Sequence, residues 1–83
     1  MNDQLSLGKE FKQLRLAAKL SQSELAFKAG ISTRQYQRIE TNISVPTLDT
    51  LFAVAHVLNA DPMTIVKRHL ERWHDHQIQK NDG

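Results

Sequence analysis

Cysteine is absent from this chain, which excludes a disulfide framework, a thiolate metal site and a cysteine nucleophile. Long apolar runs are absent too. The longest spans residues 51–55, far short of the roughly 20 residues a bilayer requires, and no membrane partner is expected. The first ten residues, MNDQLSLGKE, lack the basic-then-apolar order of a signal peptide, so a soluble, cytoplasmic protein is expected. No segment alternates with period two, and no Asn-Gly or Asp-Gly turn separates apolar runs, so no sheet is predicted. Neither charge sign dominates: eleven Lys and Arg face nine Asp and Glu, a net charge of +2 that by itself names no polyanionic partner. There is no repeat, linker or low-complexity stretch. What remains is 83 residues, enough for one small domain with little space for a buried catalytic cleft. A hydrophobic fraction of 40% and a charged fraction of 24% sit in the ordinary globular range and argue against wholesale disorder.

Helix signals follow one another with almost no slack. Leu7, Phe11, Leu14 and Ala18 form an apolar stripe at helical spacing, Ser6 can cap it, and the pattern fades near Lys19 and Leu20. Ser21-Gln22-Ser23-Glu24 reads as a capping box opening a second helix, with Leu25, Ala26 and Ala29 inward and Gly30 as its left-handed stop. Phe27, beside Ala26, is expected to close the edge of the core. Ser32-Thr33-Arg34-Gln35 repeats the box and opens a short third helix with Tyr36 and Ile39 inward. Asn42 tolerates positive φ and suits its end. After a loop, Thr47 caps a fourth helix from Leu48 to Leu58, with Leu48, Leu51, Val54, Ala55 and Leu58 on one face. Asn59 closes it. Asp61-Pro62 caps a fifth helix carrying Ile65, Val66, Leu70 and Trp73, expected to fade after His76. The prediction is an all-α, five-helix domain over residues 1–76 and a polar tail over residues 77–83.

Two of these helices are joined by Gly30-Ile31-Ser32 alone. A turn so short forces them to cross steeply, as in a helix-turn-helix. The second helix of the pair then turns Thr33, Arg34, Gln37 and Arg38 outward, with Gln35 nearby and no acid among them. Arginine pairs in bidentate fashion with guanine and glutamine with adenine, so this face suits base edges in a major groove.

From about Leu7 to Ile65 the pieces LGKEFKQLR, LSQSELAFKAGIS, YQRIE and VPTLDTLFAVAHVLNAD stand in the order and spacing of a known family. The chain resembles the Cro and repressor-type helix-turn-helix regulators of phages and bacteria, the XRE family, whose five-helix, lambda-repressor-like fold carries its helix-turn-helix on helices 2 and 3. The resemblance implies a DNA-backbone anchor at Gln22, base-reading positions at Thr33, Arg34 and Arg38, and a frequent extra contact at Gln37. It also implies an internal salt bridge between Arg15 and Glu40. Two departures stand out: the family usually has glycine at Asn42 and an aliphatic residue at Tyr36, whose hydroxyl therefore needs a polar partner.

Charge is unevenly spread. Residues 1–40 carry seven basic and four acidic side chains, and residues 41–66 none and two. The positive excess thus lies in the half expected to face DNA, where phosphate contacts supply affinity without sequence information. Ser21, Gln22, Ser23, Lys28, Ser32, Gln35, Thr41, Asn42 and Ser44, at helix starts or in loops, are the candidate backbone contacts. One such domain reads few base pairs, so a homodimer on an inverted-repeat DNA operator is expected. Phe52, Val57, Leu70 and Trp73, left over once the core is filled, are its candidate interface; the rival reading places Phe52, Leu70 and Trp73 in an enlarged core. His74 and His76 lie on different helix faces, and His69, His74, Asp75 and His76 contain no i, i+4 histidine pair, so no metal is expected. No Ser-His-Asp set or paired carboxylate is discernible among Asp49, Asp61 and Glu71, and neither a cofactor nor an enzymatic activity is expected. The functional expectation is a transcriptional regulator of the phage or restriction-modification-controller type. The alternative is an antitoxin that binds a toxin or other regulatory protein and represses its own promoter.

Overall fold

A computed structural model describes the backbone of residues 6–81 and the side chains of residues 6–77. Five helices follow in order: α1 (Leu7–Ala17), α2 (Gln22–Ala29), α3 (Thr33–Glu40), α4 (Leu48–Val57) and α5 (Pro62–Asn81). Among the described residues there is no strand, and no helix is long and apolar enough to cross a membrane. Their starts are set by local hydrogen bonds. Ser6, Ser21, Ser32 and Thr47 each accept a bond from the amide three residues on, while Asp61 accepts from Met63 N at 3.0 Å. At Ser21 the box is complete, with Glu24 returning to the Ser21 amide at 2.8 Å. At Ser32 only half of the expected box forms: the serine accepts from Gln35 N, but the Gln35 side chain is exposed and does not return.

The first four helices end alike. In each, a residue at the C-cap (α2) or just after it (α1, α3 and α4) takes positive φ and two backbone amides turn back on the last helical carbonyls, a Schellman pattern. The left-handed residues are Lys19 (φ 61°), Gly30 (78°), Asn42 (63°) and Asn59 (56°). The paired bonds are, for example, Lys19 N to Leu16 O at 3.0 Å and Leu20 N to Arg15 O at 3.2 Å. Only one of the four is glycine. Asn42 serves twice, since its Oδ1 accepts from Gly8 N at 3.0 Å and its Nδ2 donates to Ser6 Oγ at 2.9 Å. The end of α3 thereby caps the start of α1, a task glycine cannot perform.

The core draws on every helix: Leu7 and Phe11, Leu25 and Ala26, Tyr36 and Ile39, Leu51, Val54 and Ala55, and Ile65, with Leu58 just past α4. Leu14, Ala29, Val57 and Val66 pack partly buried at its margin. Gly8 lets α1 lie directly on the end of α3: a Cβ there would collide with the Glu40 carbonyl oxygen and stand 2.8 Å from that of Ile39. Several sequence expectations are corrected. Phe27 does not close the core edge; it is 85% exposed, because the buried positions of α2 are Leu25 and Ala26 and Phe27 follows them onto the outer side. Leu48 is 65% exposed, because as the first residue of α4 it stands ahead of the turn that meets the core, where Leu51 takes the inward place. Ala18 is exposed, as the terminal cap of α1 rather than part of its stripe. Finally, α5 continues to Asn81 past the fade expected after His76. Gln77, Ile78, Gln79 and Lys80 include neither glycine nor proline, so nothing local stops it. Residues 82 and 83 of the expected tail lie outside the described residues.

Candidate nucleic-acid interface

The helix-turn-helix is built by α2, the left-handed Gly30, half-buried Ile31 and the Ser32 cap of α3. Tyr36 and Ile39 pin α3 to the core from below. A polar network pins its end. Arg15 donates from Nε to Glu40 Oε2 at 2.9 Å and from Nη2 to Glu40 Oε1 at 3.0 Å, and its Nη1 donates to the Leu20 carbonyl at 2.9 Å. The two residues expected to pair across α1 and α3 do meet, both largely buried. The Tyr36 hydroxyl donates to Glu40 Oε2, which gives this departure from the family pattern its polar partner. Gln22 Nε2 donates to Glu40 Oε1 at 3.0 Å. Four donor groups therefore converge on one carboxylate. Burial opposes ionisation of Glu40, yet hydrogen bonds from Arg15, Tyr36 and Gln22 together outweigh it and hold its pKa below the ordinary glutamate value. The pairing with Glu40 correspondingly raises the pKa of Arg15, and desolvation with the Glu40 bond raises that of Tyr36.

The network reaches the surface through Gln37, whose Nε2 donates to Gln22 Oε1 at 3.1 Å. Gln22, Arg34, Gln37, Arg38 and Thr41, with Ile43, line one open groove of about 500 Å³ beside α3. Three of the four expected base readers thus share a wall with the expected backbone anchor. Thr33, half-buried at the first position of α3, lies outside that lining. Arg34, Gln35, Gln37 and Arg38 are exposed, and the one acid of α3, Glu40, is turned inward. Arg38 Nε also reaches Ser44 Oγ at 3.3 Å, and Thr41 Oγ1 returns to the Gln37 carbonyl at 2.8 Å. Ser21, Ser23 and Ser32 stand exposed at the helix starts and Lys28 at the end of α2. Asn42 is exposed, but both ends of its amide are already bonded within the chain.

Sequence reasoning missed three residues here. Ile43 is an exposed apolar element of the groove wall, and its position in a loop carries no periodic signal. Gly8 controls the approach of α1 to α3, 32 residues away. Glu10, buried on α1, pairs with Arg68 at 2.8 Å and Arg72 at 3.5 Å on α5; no local pattern announces so distant a pairing. Of the expected interface residues, Phe52, Leu70 and Trp73 are exposed at 43%, 56% and 53%, not packed into an enlarged core, whereas Val57 is half-buried against it. Among the described residues, no three His, Asp or Glu side chains gather in a metal-holding arrangement.

Comparison with known proteins gives this geometry a family. A helix-turn-helix family model matches residues 11–64. The crystal structure of SinR, the master regulator for biofilm formation, in complex with DNA aligns with a TM-score of 0.69 at 34% identity, covering 72% of this chain and 97% of that one. The N-terminal DNA-binding domain of SinR from Bacillus subtilis aligns with a TM-score of 0.68, also at 34% identity, over 72% and 88% of the two chains. A SinR–SinI protein complex, at 24% identity and a TM-score of 0.69 over 93% and 99%, shares the fold. The chain belongs to the XRE-type helix-turn-helix family of DNA-binding transcription regulators.

Proposed function

We propose that the chain is a cytoplasmic, sequence-specific regulator that binds an inverted-repeat operator as a homodimer and controls its own promoter, in the manner of small phage-type or restriction-modification controllers. The observation that carries this reading is the α3 face, where exposed Arg34, Gln37 and Arg38 converge with Gln22 on one groove and no acid intervenes. Thr33 sits at the N-terminal edge of the same helix. The helix starts at Ser21 and Ser32, with Ser23, Lys28, Gln35, Thr41 and Ser44 around them, supply donors suited to phosphates. Asn42 has one spare N–H on Nδ2 for such a contact, the rest of its amide being bonded to Gly8 and Ser6. Arg34→Ala and Arg38→Ala are each expected to weaken binding by about 1–3 kcal/mol at particular base pairs, with the fold intact. An equal loss on every duplex sequence would reduce them to phosphate contacts. Affinity should also fall steeply between low and moderate salt; salt-independent binding would contradict a DNA interface.

Exposed Phe52 on α4 and exposed Leu70 and Trp73 on α5 support apolar contact with a second copy, with Val57, half-buried against the core, as the fourth candidate. Two-fold symmetry would then set two copies of α3 about 34 Å apart, one turn of DNA. The same exposed apolar residues support a second reading, a protein partner such as a toxin, since the SinR fold is also seen in a complex with the protein SinI. Sedimentation of the purified chain separates them: a dimer supports the first, and a strict monomer at micromolar concentration the second.

A further inference from the structure

Glutamine's amide is ambiguous in principle: either end can point at a base, so a glutamine free on a helix surface discriminates poorly between donors and acceptors. In this protein the ambiguity is removed from within. Glu40 is an ionised carboxylate that can only accept, and its Oε1 faces the Gln22 amide at 3.0 Å. Gln22 must therefore turn Nε2 inward and Oε1 outward. That outward oxygen can only accept in turn, so Gln37, at 3.1 Å, must present its Nε2 to Gln22. The carbonyl end of Gln37 is left facing the groove, beside one spare N–H on Nε2. Among the described residues no protein group donates to that oxygen.

We infer that the buried Arg15–Glu40 pair acts through Gln22 to fix the amide polarity of Gln37, making Gln37 a reader that offers an acceptor and one donor to a single base. Adenine is the matching partner, because its major-groove edge places the N6 donor beside the N7 acceptor. Guanine, with two acceptors there, is rejected by the outward carbonyl. Gln22 is on this view a positioning residue, whose effect on sequence preference is exerted through Gln37. The inference rests on the reading of α3 as a base-reading helix. It goes beyond that reading by assigning the chemical preference of one position and its structural cause.

The test is selection from a pool of random duplex DNA, followed by affinities on duplexes differing at single base pairs, for three chains: native, Gln37→Ala and Gln22→Met. The methionine is close in size, lacks the amide and leaves Arg15, Glu40 and Tyr36 paired; unchanged thermal unfolding would establish that the fold is retained. The native chain should prefer adenine over guanine at one step per half-site by tenfold or more, and Gln37→Ala should abolish that preference. Gln22→Met should cut it to about threefold or less while leaving the preferences set by Arg34 and Arg38 in place. Any additional loss common to all sequences would report a phosphate contact by Gln22 without bearing on that ratio. If Gln37→Ala relaxes the step but Gln22→Met does not, the relay is overturned and base reading by Gln37 stands. If no base step responds to Gln37→Ala, base reading by Gln37 fails, and the relay with it. A side-chain amide spectrum of the free protein gives an independent reading: restrained Gln37 amide signals should become mobile in Gln22→Met, and signals mobile in both chains would contradict the relay.

Discussion

At Glu40 a single carboxylate takes hydrogen bonds from Arg15, Tyr36 and Gln22, and the placement of α3 depends on it. Removing one partner of a buried ion pair leaves the other uncompensated, which typically costs about 3–5 kcal/mol; Arg15→Met should therefore destabilise the fold on that scale. Tyr36→Phe removes one donor but leaves three bonds to the carboxylate, so a smaller loss of about 1–2 kcal/mol is expected in denaturant unfolding. No loss would mean that the hydroxyl contributes nothing to the network. Because the Glu40 pKa is depressed in the folded state, its stabilisation is complete above the ordinary value of 4.5 and is lost as pH falls below it, through the folded value. The native chain should lose stability on acidification through that window more steeply than Glu40→Gln, and parallel curves would contradict the role given to the carboxylate. Both Arg15 and Glu40 stood out in the sequence through family resemblance, while Gly8 and Glu10 did not. What those two do depends on contacts with α3 and α5, to which spacing along the chain gives no clue.

Helix boundaries were legible because caps are local chemistry. Ser6, Ser21, Thr47 and Asp61 start helices, Gly30 and Asn42 take the left-handed stops expected of them, and Asn59 closes α4 in the same conformation. Lys19 shows where such reading runs out: it adopts φ 61° although nothing in a lysine advertises that conformation. The neighbouring geometry imposes it, since Leu20 must fold back on Arg15 while Arg15 reaches the Leu20 carbonyl. A left-handed conformation costs a non-glycine residue about 1–2 kcal/mol, offset in part by the greater unfolded-state freedom of glycine. Lys19→Gly should raise stability by about 0.5–1 kcal/mol, and a lower melting temperature would contradict the strain. Asn42 gives a paired contrast. Asn42→Gly keeps the left-handed turn but loses the bonds to Gly8 and Ser6, while Asn42→Ala loses both advantages and should be the less stable of the two by about 1 kcal/mol. The misplacements of Phe27 and Leu48 have separate causes: Phe27 lies one step from the buried Ala26, whereas Leu48 has the spacing of the buried stripe but precedes the turn that meets the core, and neither fact is visible until the packing partner is known.

Over the whole molecule, extents of 43 × 22 × 21 Å go with a small core to which, among the described residues, the 20-residue α5 contributes Ile65, with Val66 partly buried against it. Glu10 ties Arg68 and Arg72 of that helix to α1, so Leu70 and Trp73 are presented on a fixed support. Trp73→Ala should shift the sedimentation equilibrium toward monomer with little change in the melting temperature of the monomer. An unchanged dimer that melts at lower temperature would place Trp73 in intramolecular packing. The modest net charge is likewise a property of the whole that conceals its parts: a basic first half bearing the α3 face, and an acid-leaning middle. The central claim, sequence-specific recognition by two copies of α3, is tested most directly by selecting bound fragments from random duplex DNA with the native chain. The expected result is an enriched inverted repeat whose half-site centres lie one helical turn apart. Recovery of fragments with no shared sequence would contradict it.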